Sequence, residues 1–232
     1  MYVLGIETST KTGSVAVVSQ TGVVAQYSLN IEVTHSERLM STVDRVLKDT
    51  GLVIADIDGY AVAIGPGSFT GLRIGLAAVK GLALVTGKPV AAVPTLQALA
   101  WNLPHAAYPV CPMLDARKNE VYAAQYRFEG NGLVQMMDET VIALSRLEER
   151  IVEKTVFTGE ASHLFHGNIE KIFGDRALFA PLSTLLPSAA AVAEIGMAML
   201  TNGKAAEPDG LTPMYIRRPE AEVVWEKKAQ SR

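Results

Sequence analysis

The sequence of 232 residues fits one large domain or two small ones, and a chain of this size buries roughly 70% of its unfolded surface without a stabilising disulfide or metal. Its 21 Lys and Arg against 24 Asp and Glu give a formal charge of −3, which excludes the strongly basic surface of proteins that bind nucleic acid unaided. The single cysteine, Cys111, excludes an intrachain disulfide framework and a thiolate metal cluster, and is typical of a reducing compartment.

The first half of the chain is predicted to contain an antiparallel meander followed by strand and helix units. Apolar runs bounded by polar or glycine turns indicate the strands, and apolar residues at three- and four-residue steps indicate the helices. The predicted strands are 2–6, 13–19, 23–29, 61–64 and 89–93, and the predicted helices are 34–50, 71–86 and 95–103. A capping box of Thr34 and Glu37 is expected to start the first helix.

The second half repeats this order in shortened form. Asp115 stands where Glu7 stood, and Gly159 stands where Gly65 stood. The predicted strands are 110–114, 120–128, 133–141 and 155–158, and the predicted helices are 145–153, 161–173 and 188–200. The sequence therefore predicts an α/β fold of two related lobes, residues 1–103 and 104–232, each a mixed sheet with flanking helices, with a cleft between the lobes.

A glycine-rich turn between the fourth strand and its helix is a candidate anion site. A strand, a glycine turn and a helix N-terminus can cradle a phosphate, although the same residues can form a purely structural turn. The absence of a lysine after Gly71 excludes a Walker A loop, and the glycine spacing does not match the dinucleotide fingerprint. The residues of this candidate vestigial nucleotide cradle are Glu7, Thr8, Gly65, Gly67, Ser68, Gly71 and Asp115.

Two strand-end acids within that set, Glu7 and Asp115, admit two interpretations. They could hold Mg²⁺, as paired carboxylates do in kinases. Alternatively, each could accept hydrogen bonds from N–H groups of its own turn, which is the commoner use of an acid at that position.

The helix at 71–86 is apolar around nearly its whole circumference. Two of its faces carry only small side chains, at 71, 75 and 78 and at 77 and 81. Another backbone can therefore approach these faces closely. One sheet can cover only one face of this helix. The apolar surface that is left uncovered predicts either a deep core position for the helix or a contact with another chain.

Three segments carry a family resemblance: Ile6-Glu-Thr-Ser9 with Gly13-Ser-Val-Ala16, Gly65-Pro-Gly-Ser-Phe-Thr-Gly-Leu-Arg-Ile-Gly75, and Asp115-Ala-Arg-Lys-Asn-Glu-Val-Tyr122. The duplicated lobes resemble the actin, sugar-kinase and Hsp70 ATPase superfamily, and the three segments resemble the bacterial TsaB (YeaZ) family. The resemblance implies a non-catalytic subunit of the machinery that transfers threonylcarbamoyl from threonylcarbamoyl-AMP to N6 of adenosine 37 in tRNAs reading codons that start with A. It also implies a TsaD-like catalytic paralogue, a TsaE-like ATPase, indirect contact with tRNA, and a homodimer when the subunit is alone.

Catalytic relatives of the TsaD type carry a His-x-x-x-His metal pair on the helix after the fifth strand. The matching positions here hold Thr95 and Leu99, which cannot replace imidazole ligands. His163 and His166 have a spacing that could pair, but a surface location is the commoner outcome. We therefore expect no metal, no cofactor and no catalytic residue.

The resemblance implies pairing through helices of the first lobe. The expected contact residues are Leu39, Met40, Val43, Ile74 and Ala78, with burial in the chain's own core as the alternative for each. A second hypothesis is an ATP-dependent small-molecule kinase of the same fold. A third, a metallopeptidase, lacks any His-Glu-x-x-His motif.

We also expect a cytoplasmic protein that is neither exported nor membrane-spanning. The N-terminus has no basic lead before an apolar run, and Arg73 and Lys80 interrupt the longest apolar stretch.

Overall fold

Two five-stranded mixed sheets, one from each half of the chain, carry the fold. The structure is a computed structural model that describes residues 1–30, 35–130, 132–207 and 209–217, without the side chain of residue 35. The strands are β1 (Tyr2–Glu7), β2 (Gly13–Ser19), β3 (Gly22–Leu29), β4 (Gly59–Gly65), β5 (Val90–Pro94), β6 (Val110–Asp115), β7 (Glu120–Glu129), β8 (Gly132–Ala143), β9 (Thr155–Thr158) and β10 (Ala177–Phe179). The helices are α1 (His35–Thr50), α2 (Phe69–Thr86), α3 (Thr95–Trp101), α4 (Leu144–Leu147), α5 (Glu160–Leu164), α6 (His166–Phe173) and α7 (Ala189–Thr201).

The two sheets have the same strand order, which confirms the predicted duplication. The first sheet runs β3-β2-β1-β4-β5, and the second runs β8-β7-β6-β9-β10. In each sheet the first three strands along the chain pair antiparallel, and the last two join parallel to them. The ends of β1 and β4 in one sheet therefore correspond to the ends of β6 and β9 in the other.

Helices cover both faces of the first sheet. Leu4 and Ile6 of β1 lie in one core with the buried faces of α1 and α2, whereas Val3 lies in a second core with α7. This alternation follows from the two-residue period of a strand. Close packing of α7 requires small residues, since a Cβ at Gly5 would lie 2.9 Å from the Cβ of Ala193.

The two halves exchange helices. Helix α7 belongs to the second half but packs on the first sheet, and α3 belongs to the first half but packs through Leu96 and Leu99 against Val110 and Leu114 of the second. The division at residue 103 remains a proposal about the duplicated unit.

The ends of the predicted elements agree with the structure to within two residues, apart from three larger differences, all in the second half. Helix α4 ends at Leu147 instead of residue 153, and the carbonyl of Ile151 accepts a hydrogen bond from Arg176 instead of continuing a helix. The single helix predicted for 161–173 is two helices that meet at Phe165, where the poor helix formers Gly167 and Asn168 follow. Strand β10 was not predicted, because three residues are too short to show a period.

The capping role expected of Thr34 lies outside the described residues, as do Asn131 and the residues from Arg218 onward.

Helix α2 has the length and apolar composition of a membrane span. It is, however, the crossover between the parallel strands β4 and β5, and it buries Leu72, Leu76 and Val79 against the first sheet. A core helix passes the same test of length and composition.

Candidate functional site

The β1–β2 turn and the glycine-rich turn after β4 interlock. A Cβ at Gly67 would lie 2.8 Å from the Cβ of Ser9 and closer still to the carbonyl oxygen of Ser9. The N–H of Ser68 donates to that same oxygen over 2.6 Å, and the hydroxyl of Thr8 donates to the carbonyl of Gly71 over 2.8 Å. The β1–β2 turn therefore packs directly against the glycine-rich turn.

Ser68 caps the helix that follows, α2. The side chain of Ser68 accepts a hydrogen bond from the N–H of Gly71 over 3.3 Å. Two N–H groups that a phosphate cradle would present, those of Ser68 and Gly71, are thus already bonded within the chain. This arrangement favours the structural reading of the glycine-rich turn over the anion-binding one.

Gly65 adopts φ +120°, a conformation that side-chain-bearing residues rarely adopt, and the C-terminal segment packs against it. A Cβ at Gly65 would lie 2.7 Å from the carbonyl oxygen of Met214, and the N–H of Met214 donates to the carbonyl of Ile64 over 2.6 Å. Gly159, its counterpart at the end of β9, has φ +93°. The duplication extends to the glycine that ends each equivalent strand.

Glu7 is fully buried. Its Oε1 accepts a hydrogen bond from the N–H of Ser9 over 2.5 Å, and among the described residues its Oε2 has no partner. Burial disfavours the charged form and raises the pKa of Glu7 from its usual 4.5 to about 7, against the smaller opposing effect of the Ser9 hydrogen bonds. A carboxyl in this environment is a turn-stabilising group, protonated below about pH 7.

Asp115 repeats this turn in the second lobe. Its Oδ1 accepts from the N–H of Arg117 over 2.8 Å, two residues on, as Glu7 accepts from Ser9. Desolvation, followed by the charge of Asp115, raises the pKa of Glu160, while Lys11 and Arg117 act in the opposite direction.

The structure brings together six of the seven predicted cradle residues through the contacts of the β1–β2 turn with the glycine-rich turn. Asp115 lies at the equivalent place in the other lobe. Thr95 and Leu99, at the positions of the metal-binding pair in TsaD-like relatives, are buried on α3, and the ring of His166 stacks on that of Phe179 with 3.8 Å between centroids. Across the described ranges, no group of three His, Cys, Asp or Glu side chains could hold a metal ion.

The expected interface residues have different environments. Leu39 and Val43 are buried in the chain's own core, which is the alternative stated for them, and not at an outer face of α1. Met40 is 49% exposed, while Ile74 and Ala78 are partly buried against the core. The remaining outer face of α1 is charged, with Asp44 and Lys48 paired at 2.7 Å and Arg45 and Asp49 at 2.6 Å.

The outer face of α2 carries the two most exposed large apolar side chains of the described residues. We call it the α2 face and define it by the exposed residues Arg73, Ala77, Gly81, Leu84 and Val85. Leu84 and Val85 are 86% and 85% exposed. Their positions follow the helical period from Ala77 and Gly81, so this signal was present in the sequence, whereas no sequence signal pointed to the contacts of Met214.

The fold defines the structural class of protein to which this chain belongs. Two sheets of identical order, each with crossover helices, form the duplicated fold of actin, the sugar kinases and the Hsp70 ATPase domain. Component A of the (R)-2-hydroxyglutaryl-CoA dehydratase of Acidaminococcus fermentans shares this fold at 13% identity, with a TM-score of 0.52 over 87% of this chain and 99% of that one.

Within that class, the comparisons are more specific. A Pseudomonas aeruginosa structure, described as an uncharacterized protein with similarity to peptidase YeaZ, has a TM-score of 0.80 at 27% identity, covering 93% of this chain and 99% of its own. The family model described as TsaD, tRNA N6-adenosine threonylcarbamoyltransferase, matches residues 20–225. The tRNA threonylcarbamoyladenosine biosynthesis protein TsaB of Bacillus subtilis (strain 168) is 32% identical over 228 residues, 97% of this chain and 98% of the relative. This chain belongs to the TsaB (YeaZ) family.

Proposed function

We propose that this chain acts in tRNA threonylcarbamoyladenosine biosynthesis as a non-catalytic subunit. In this proposal it binds a TsaD-like catalytic paralogue, which transfers threonylcarbamoyl from threonylcarbamoyl-AMP to N6 of adenosine 37 in tRNAs reading codons that start with A. The name of the Bacillus subtilis relative supports the pathway. The observation that carries the non-catalytic role is the packing of the Ser9 backbone against Gly67 and Ser68, in front of the turn where a phosphate would have to lie.

The α2 face supports the binding role. A leucine and a valine more than four-fifths exposed at one end of an apolar helix cost free energy in water, and covering them with a partner recovers it. The small residues Ala77 and Gly81 would let a partner helix approach the backbone of α2 closely. Met40, Ile74 and Ala78 border this face in the proposal.

The mechanism we propose is conformational. A subunit without chemistry can activate a partner only by binding one conformation of that partner more tightly than another. The same apolar face would pair two copies of this chain when the paralogue is absent, so homodimer and heterodimer compete for one surface.

The proposed complex includes a TsaE-like ATPase, and it contacts tRNA through other subunits. The formal charge of −3 supports indirect contact, because a chain that holds tRNA by itself needs a surplus of cations. A cytoplasmic location and the absence of a cofactor belong to the same proposal.

The runner-up function, a small-molecule kinase, requires Glu7 and Asp115 to bind Mg²⁺. Each acid instead accepts a hydrogen bond from the N–H two residues on, and Glu7 is buried with a raised pKa. These contacts favour the scaffold over the kinase. Calorimetric titration with ATP and Mg²⁺ separates the two, since a kinase must bind the nucleotide.

The decisive experiment is reconstitution. The chain is co-purified with the TsaD-like paralogue of the same organism, and tRNA modification is measured with and without it. We expect a stable complex and modification that depends on this chain. Modification at an equal rate without the chain, or turnover of a substrate by the chain alone, would contradict the proposal.

A further inference from the structure

The C-terminal residues 211–217 cross between the two lobes. We call this segment the strap. Leu211 begins it and is buried in the core of the first lobe, 6% exposed. The strap then contacts the first lobe through residues 214 and 215, and the second lobe through residues 216 and 217.

The first-lobe contacts join the strap to both the glycine-rich turn and α2. The N–H of Met214 donates to Ile64, and the carbonyl oxygen of Met214 fills the space beside Gly65. The ring of Tyr215 packs on Phe69 with 4.8 Å between ring centroids. Nε of Arg73 donates to the hydroxyl of Tyr215 over 2.7 Å, and its guanidinium lies 5.7 Å from the centre of the same ring.

The second-lobe contacts hold the other end. Ile216 packs against the core formed by α3 and the second sheet. The guanidinium of Arg217 donates to the carbonyl of Ala116 and pairs with the carboxylate of Glu120, at the two ends of the β6–β7 turn. Because the guanidinium of Arg217 bonds to two different groups, its position is fixed more firmly than by a single ion pair.

We propose that the strap is a clamp between the lobes, with Arg217 as its second-lobe anchor, and that it sets the angle between the two sheets and the orientation of the first turn of α2. Residues 214 and 215 bind the first lobe, and residues 216 and 217 bind the second. A change of the angle between the sheets must therefore break the contacts of one of these two pairs. Arg73 is the first residue of the α2 face, and Phe69 lies one helical turn before it. The clamp therefore joins the second lobe physically to that face, and Tyr215 and Arg217 are positioning residues.

The test measures the distance between the lobes directly and needs no partner. Cys111 is fully buried, so spin labels are attached to cysteines introduced at two exposed sites, Gln20→Cys in the first lobe and Val152→Cys in the second. Electron double resonance gives the distribution of their separation. Hydrogen exchange gives the protection of the Met214 amide in the same samples.

We expect Arg217→Ala to widen the distance distribution at least twofold and to speed exchange of the Met214 amide at least tenfold. Lys204→Ala is the matched control, since it removes an exposed cation shortly before the strap and should change neither readout. An unchanged distance distribution in Arg217→Ala overturns the proposal, whether or not the amide exchanges faster, because the strap would then follow the lobe angle without setting it.

A second variant guards against loss of folding. Because each lobe has its own core, we expect a chain that ends at Thr212, which retains Leu211, to fold and to show the same widening. Circular dichroism and gel filtration check the fold of both variants. Unfolding of both would overturn the proposal, since the strap would then be part of the core and not a clamp between folded lobes.

Discussion

Ser9 and Gly67 lie so close together that the chain has room for a hydrogen atom but not for a methyl group. The Cβ missing from Gly67 would lie 2.8 Å from the Cβ of Ser9, and the neighbouring Ser68 donates its N–H to the carbonyl of Ser9 over 2.6 Å. This contact joins the turns after β1 and β4.

Gly67→Ala should therefore destabilise the chain by about 1–3 kcal/mol, the usual cost of forcing an extra carbon into a packed site. Urea unfolding followed by circular dichroism measures the free energy of unfolding. Gly167→Ala is the control. That glycine is exposed on α6, nothing lies within 4 Å of its missing Cβ, and alanine there should be neutral or stabilising by up to about 1 kcal/mol. Equal effects of the two substitutions would contradict the interlocked turns.

Glu7→Gln should alter how stability depends on pH. The pKa of Glu7 is about 7 in the folded chain, against the ordinary value of 4.5 that we take for the unfolded chain. The folded state therefore holds this proton more tightly than the unfolded state does. Its contribution to the free energy of unfolding is fully present below pH 4.5 and is lost as pH rises through 7, by up to about 3 kcal/mol.

The glutamine side chain stays neutral and keeps an acceptor for the N–H of Ser9. We therefore expect Glu7→Gln to gain stability relative to the unmodified chain between pH 5 and 8, measured as the difference in urea midpoints at each pH. Asp115→Asn serves as the comparison in the second lobe. A difference that does not change with pH for Glu7→Gln would show that this carboxyl is charged in the folded state.

Leu84→Glu should weaken pairing through the α2 face while leaving the monomer folded. The side chain is 86% exposed, so its replacement should change the free energy of unfolding by no more than about 0.5 kcal/mol. At an interface a buried glutamate is costly, and we expect at least a tenfold loss of affinity, about 1.4 kcal/mol.

Gel filtration and co-purification with the TsaD-like paralogue measure that loss. Ala78→Glu is expected to act in the same direction, with a larger effect on the monomer because Ala78 packs partly against the core. Val152→Glu, on the second lobe and 76% exposed, is the matched control. Full retention of pairing by Leu84→Glu would remove the α2 face from the proposed interface.

Cys111 should be inert in the folded chain. It lies fully buried in the core of the second lobe, and burial raises the pKa of its thiol far above the usual value, so the reactive thiolate is absent. A thiol reagent such as Ellman's should label no group in buffer and one group in guanidinium. Labelling in buffer faster than unfolding would show that the second lobe opens locally.

The sequence by itself determined nine of the ten strands, the duplication and the family, because each of these rests on local periodicity or on contiguous motifs. It also indicated that α2 had more apolar surface than one sheet could cover. Tertiary structure alone decided which apolar side chains of α1 and α2 stayed exposed: Leu39 and Val43 of α1 turned inward, and Leu84 and Val85 of α2 turned outward. It alone placed Ser9 against Gly67 and Met214 against Gly65, because contacts between residues 58 and 149 positions apart leave no period or spacing along the chain.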